Sequence, residues 1–222
     1  MNILYHLPFA ANSRIVRVAL SEKKIDVKLI VEPTWERRDG FLSLNPEGQV
    51  PVLLNNQNIP LSGAPVIIEW LEDVSSDNSL IGNDITFRAE ARRIMFWFNN
   101  KFSLEVESSI VYEKIMKAFM GKGNPDASIL RVGRKNLITH MKYIDWLSKN
   151  RDWLAGKSFS VADISASANL SILDYLGEIQ WRDYAYAKEW YARVKSRPSF
   201  RGILLDKIPG LLPPKYYSDL DF

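Results

Sequence analysis

Two hydroxyl side chains near the start of the chain are placed where they could do chemistry. Tyr5 lies in the apolar run Asn2–Leu7, and Ser13 follows the turn-like segment Pro8–Asn12. A phenol or an alcohol in such a place can stabilise a neighbouring anion by donating a hydrogen bond. The same residues also have a plain structural use, with Ser13 as a helix cap and Tyr5 as packing. Other chemistry is closed off. The 222 residues include no cysteine, which removes thiol mechanisms, disulfides and thiolate metal sites. The two histidines, His6 and His140, are too far apart in the sequence to suggest a metal site. Trp35-Glu36-Arg37-Arg38 puts an indole beside two guanidinium groups in a polar stretch, a composition suited to a binding hot spot or to a loop packed on its own domain. The end of the chain, Leu211–Phe222, combines two prolines and two tyrosines with Asp219, Asp221 and Phe222. That composition fits either a recognition tail or a lid folded back on the protein.

The elements that must hold these residues read as two sets. Strand signals at 2–7, 27–32, 51–54 and 59–61 alternate with helices expected at 13–24 and 64–73, giving β-α-β and then β-β-α. Beyond the polar stretch 75–84 the pattern turns helical. Phe87, Ala91, Ile94, Met95, Phe98 and Phe102 mark a long amphipathic helix, and Met120–Pro125 interrupt the pattern. Leu130, Leu137, Met141 and Ile144 mark a second long helix, and Ser160 opens a further, apolar one. Trp97, Trp146, Trp153, Trp181 and Trp190 are expected in the core. A division at residue 78 separates 7 basic and 10 acidic residues, net −3, from 22 basic and 16 acidic, net +6. The expectation is therefore a domain at 1–78 and an all-helical domain at 79–222. The charge is too evenly mixed for nucleic acid, even around Arg88, Arg92 and Arg93. With no apolar run of 18 residues and no leader pattern, a cytoplasmic protein without a membrane span is expected.

Three motifs, in order, resemble the glutathione transferase family. Ser13-Arg14-Ile15-Val16-Arg17 resembles the start of its first helix. Gly48-Gln49-Val50-Pro51-Val52-Leu53 resembles the cis-proline turn of its thioredoxin-like domain, and Ser160-Val161-Ala162-Asp163 resembles the capping motif of its helical domain. The resemblance implies an N-terminal thioredoxin-like domain followed by a helical one. It also implies three contributions to a glutathione site. Val50 and Pro51 match the segment that pairs with the cysteinyl part of the ligand. Ala10 and Ala11 stand where a serine or cysteine is expected, leaving Ser13 or Tyr5 as substitutes. Gly63-Ala64 stand at the acid/amide-serine pair, with Ser62 one residue early. Two polar contacts are then absent, each worth about 1–3 kcal/mol, so glutathione binding is expected to be weak and not required. The segment Val31–Arg38 and the chain end resemble an alphaproteobacterial branch of the family that includes a division factor binding the tubulin-like FtsZ polymer. The resemblance thus implies a homodimeric, non-catalytic FtsZ-binding protein using Trp35, Arg37, Arg38, Asp219, Asp221 and Phe222. The alternative is an active glutathione transferase.

Overall fold

The computed structural model describes residues 1–75 and 77–220, which group into two compact units. Unit one takes 1–80 and 197–211; unit two takes 81–196 and the segment from 212.

Unit one is built on a four-stranded sheet. The order is β1 (Asn2–His6), α1 (Ala11–Glu22), β2 (Val27–Val31), a single turn α2 (Asp39–Leu42), β3 (Val52–Leu54), β4 (Pro60–Ser62) and α3 (Ala64–Val74). In space the strands run β2-β1-β3-β4, with β2 parallel to β1 and the other neighbours antiparallel. The apolar side chains that drive this arrangement are buried: Leu4 and Val52 from the sheet, Ile15 and Val16 from α1, Ile67 and Leu71 from α3. The hairpin turn between β3 and β4 is closed by Asn55, whose Oδ1 accepts the N–H groups of Gln57 and Ile59, and by Asn58 at φ +60°. The segment 197–211, assigned to the helical domain on sequence, groups with this unit. Arg197 forms a two-bond pair with Glu22 at 2.7 and 2.8 Å, and Asp206 does the same with Arg17 at 2.7 and 3.0 Å.

Ser13 is not the cap of α1. The helix begins two residues earlier, Ala10 occupies the cap position with extended backbone, and no side chain caps it. The hydroxyl of Ser13 instead accepts the Leu7 N–H at 3.2 Å, reaching back to the preceding turn.

Unit two is helical. α4 (Ile85–Trp97), capped by Asp84, runs directly into a wider-wound π-helical stretch (Phe98–Met116) and a final turn (Lys117–Phe119). Phe98, Phe102, Val106 and Ile110, all fully buried, follow one another at intervals of four. α5 (Ala127–Asn150) packs along this stretch. At Gly133 an added Cβ would come within 2.7 Å of Ser109 Cβ, so glycine sets the close approach. His140, fully buried, joins the two helices: Trp97 Nε1 donates to its Nδ1 at 3.0 Å and its Nε2 lies 3.0 Å from Glu105. Since the indole can only donate, the imidazole proton is on Nε2 and points to the carboxylate.

α6 (Val161–Tyr175) is buried along its whole length. Its start is the predicted capping box. Ser160 Oγ accepts the Ala162 N–H at 3.3 Å, and Asp163 accepts the Ser160 N–H at 3.0 Å. Asp163 also accepts from Leu154 N–H at 2.9 Å and Trp190 Nε1 at 2.8 Å. Full burial pushes its carboxyl up to about 6 against those donors. α7 (Ala185–Lys195) completes the unit, and α8 (Pro198–Leu204) belongs to unit one. Trp190 and Trp181 are core residues as expected, but Trp146 is 56% exposed.

Candidate functional site

The loop after β1 is held from beneath by α1. Besides the Ser13 bond to Leu7, Arg14 Nε donates to the Pro8 carbonyl at 2.7 Å. Ser13 and Arg14 are both fully buried, so the residues resembling the family's first helix serve here as fasteners of the loop. Ala10 and Ala11, at the loop's end, present only methyl groups. Tyr5 is half-buried on β1 with its ring 5.8 Å from Phe41 of α2.

The second part of the site is the turn into β3. The Val50-Pro51 bond is cis. The N–H and C=O of Val50 take part in no hydrogen bond among the described residues, while the Pro51 carbonyl accepts the Gly63 N–H at 3.0 Å. That bond ties the turn to the start of α3, and the β3–β4 ladder sets Ser62 opposite Val52. Val50, Pro51, Ser62 and Ala64 are therefore brought together as the sequence reading requires. Gly63 caps α3 at φ +88°, ψ 142°, with no side-chain bond to the first turn. A side chain at this φ is strained, which suits glycine and removes the polar group at once. Pro65 has no N–H, and the amides of Ala64 and Val66 donate to no partner among the described residues. The result is a helix N-terminus with a pair of open donors and a free peptide edge. It can pair with an extended main chain and attract a carboxylate. Ala10, Ala11, Gly63 and Ala64 give it no hydroxyl, amide or acid.

The predicted partner residues fall in both units. Trp35 is half-buried and stacks on Phe9 of the loop after β1, centroids 6.5 Å apart at 17°. Arg37 is exposed, with left-handed backbone at φ +48°. Arg38 is engaged by Glu32, a buried carboxylate gripped by both Nε and Nη2. The hydrogen bonds and charge of Glu32 raise the guanidinium's pKa. The Trp35 segment thus packs on its own unit through Trp35 and Arg38, leaving Arg37 outermost. In the tail, Tyr217 is buried edge-to-face against Tyr175 at 5.1 Å. The fully buried Lys195 donates to the carbonyls of Tyr216, at 3.4 Å, and Asp219, at 2.5 Å. Desolvation lowers this ammonium's pKa, with Asp174 and Asp219 opposing it. The tail is irregular but for the 3₁₀ turn Lys215–Ser218, and it is pinned to the helical unit as far as Asp219, whose side chain is exposed. Asp221 and Phe222 lie outside the described residues.

Two family models match the chain: the glutathione S-transferase N-terminal domain over residues 9–74 and the C-terminal domain over 111–202. The chain belongs to the glutathione S-transferase family. FtsZ-localized protein A of Caulobacter vibrioides is 43% identical over 222 residues, covering 99% of this chain and 97% of that protein. A solved glutathione S-transferase from Rhodospirillum rubrum F11 superposes with a TM-score of 0.97 at 46% identity, covering all of both chains. FzlA from C. crescentus does so with a TM-score of 0.96 at 43% identity, over 100% of this chain and 99% of that one. Among the described residues no helix is long and apolar enough to cross a membrane.

Within the glutathione S-transferase frame, sequence reasoning missed the residues that fix the site without belonging to it. Glu32, Arg14, Asp206 and Lys195 hold the Trp35 segment, the first loop, the return segment and the tail. Each acts through a carbonyl or a charge that no spacing rule points to. A buried ionic residue beside a proline, as at Glu32-Pro33, is the one local signal available.

Proposed function

We propose that the chain is a cytoplasmic, homodimeric binding factor of the FtsZ filament, in which the glutathione S-transferase fold is retained and glutathione chemistry is not. The observation that carries this reading is the 43% identity to FtsZ-localized protein A along nearly the whole of both proteins. The state of the site supports it. A thiolate has no donor at Ala10–Ala11, and a γ-glutamyl group has only the main chain at Gly63–Ala64. Glutathione binding is therefore weak, and none is required. Filament binding draws on Trp35 and Arg37 of unit one and, separately, on the chain end with Asp219, Asp221 and Phe222; Arg38 holds the Trp35 segment in place through Glu32. A packed indole with an outward arginine suits a hot spot because little side-chain freedom is lost on docking. Self-association is supported by Phe96 and Leu104, 66% and 75% exposed and eight residues apart on the long helix, and by the opposite net charges of the sequence halves.

A second reading, an active transferase with Ser13 or Tyr5 as donor, is favoured by the 46% identity to the R. rubrum glutathione S-transferase. The burial of Ser13 and its bond to Leu7 weigh against that donor. Co-sedimentation with FtsZ filaments, alongside turnover of glutathione with an aryl halide, separates the two. Pelleting with background turnover supports the first reading; robust turnover abolished by Ser13→Ala overturns it.

A further inference from the structure

The helical unit carries a groove of about 900 Å³, far along the chain from the Val50-Pro51 turn and the Trp35 segment. One wall is α5 from Arg134 to Lys149, about 22 Å of helix. The other is the segment Gly177–Tyr184 that follows α6. The floor is apolar, formed by the buried Leu137, Met141 and Ile179. Two large apolar side chains rise from it into solvent: Ile138, 48% exposed, and Trp146, 56% exposed, eight residues apart and so on one face of the helix. Sequence reading places Trp146 in the core, and its exposure is what marks the groove.

Charge follows the same line. Arg134, Lys142 and Lys149 recur at intervals of eight and seven along the apolar row. Of the three acids in the groove, Glu178 and Asp145 are used within the fold, and Asp183, 59% exposed, pairs with its neighbour Arg182. Glu178 accepts both Arg134, at 2.7 and 2.9 Å, and Lys114. Asp145 accepts the Ala187 N–H at 2.9 Å at the start of α7, and Asp183 lies 3.7 Å from Arg182. Lys142 and Lys149 form no ion pair among the described residues, and Lys149 sits 5.4 Å above the ring of Tyr186. The groove therefore presents an apolar row with a positive rim over about four turns of helix, a length that suits a peptide segment.

We propose that this groove docks an acidic amphipathic segment of a partner protein, its apolar side chains on Ile138 and Trp146 and its carboxylates on Lys142 and Lys149. The groove includes no residue of the Trp35 segment or the tail, although Gly177 in its wall lies against Pro214 of the tail; its occupant is taken as a second partner. Charge complementarity selects the acidic occupant, and the exposed indole supplies the anchor.

The probe is a fluorescein-labelled helical peptide of glutamate and alanine with leucine and phenylalanine eight residues apart; its control has lysine for glutamate. Anisotropy titration of the full chain is expected to give saturable binding of the acidic peptide in the micromolar range, weakened several-fold by added salt, and none of the control. Lys142→Glu with Lys149→Glu, and separately Trp146→Ala, should each weaken binding about ten-fold or more at unchanged melting temperature, since all three side chains are exposed. Absence of saturable binding overturns the proposal, as does equal binding of the lysine peptide or indifference to both variants. It is also overturned if only a small amphiphile such as anilinonaphthalene sulfonate binds, or if Trp146→Ala instead abolishes self-association of the chain.

Discussion

Two helix starts in this molecule are built in opposite ways. At α6, Ser160 Oγ takes the Ala162 N–H and Asp163 takes the Ser160 N–H, and Asp163 adds those of Leu154 and Trp190, all inside the core. At α3, Gly63 brings no side chain, Pro65 has no N–H, and the amides of Ala64 and Val66 face no internal partner. The first arrangement stabilises the fold and can bind nothing else. The second contributes little to the fold and leaves donors for a ligand, but without the polar side chains that would hold one firmly. On the function proposed, the motif that serves stability is intact and the one that would serve a ligand has only its main chain to offer.

That contrast is most exposed to test at Asp163. Asp163→Ala leaves buried donors unpaired and should cost about 3–5 kcal/mol in urea unfolding, while Ala64→Ser should change stability by less than about 1 kcal/mol. Similar costs at the two sites would erase the contrast. A smaller effect concerns His6, buried at the end of β1, whose pKa is lowered to about 4 by desolvation and by Arg17, with Asp206 opposing. Because the unfolded chain takes up this proton near 6.5 and the folded one near 4, the stabilisation is complete above 6.5 and is lost as pH falls through that window, about 3 kcal/mol at most. His6→Phe should flatten the pH dependence of urea unfolding between 4 and 6.5; an unchanged slope would show that other groups govern it.

Next in size is the bare helix start itself. Ala64→Ser should tighten glutathione by about 5-fold or more in calorimetry, and together with Ala10→Ser by about 30-fold or more, the worth of one and of two restored contacts. No gain would mean that the site has lost more than its side chains. The smallest stability effect is expected at the tail. Deleting Leu220–Phe222 leaves Tyr217 buried and the Tyr216 and Asp219 carbonyls on Lys195, so melting should fall by only a degree or two while FtsZ pelleting is lost. A large fall in melting temperature would make those residues structural.

Local signals were legible in the sequence and distant ones were not. The capping box at Ser160 could be read because both partners lie within four residues. Ser13 was misplaced as a cap because its acceptor role points backward to Leu7, and a serine three residues into a helix has the same sequence appearance. Trp146 recurs at the spacing of core residues because α5 alternates a buried face with a groove, and periodicity alone does not separate the two. The interval of four at Phe98, Phe102, Val106 and Ile110 was visible, yet it reads as ordinary helix until the winding is seen. The tail could not be resolved between lid and recognition surface, since its anchor, Lys195, lies more than twenty residues earlier and binds only main-chain carbonyls.

Sedimentation of the unmodified protein with assembled FtsZ, with and without millimolar glutathione, tests the central claim most directly. The expected result is stoichiometric pelleting with the filaments that glutathione does not change. A protein that stays in the supernatant, or one that glutathione releases from the filament, would contradict it.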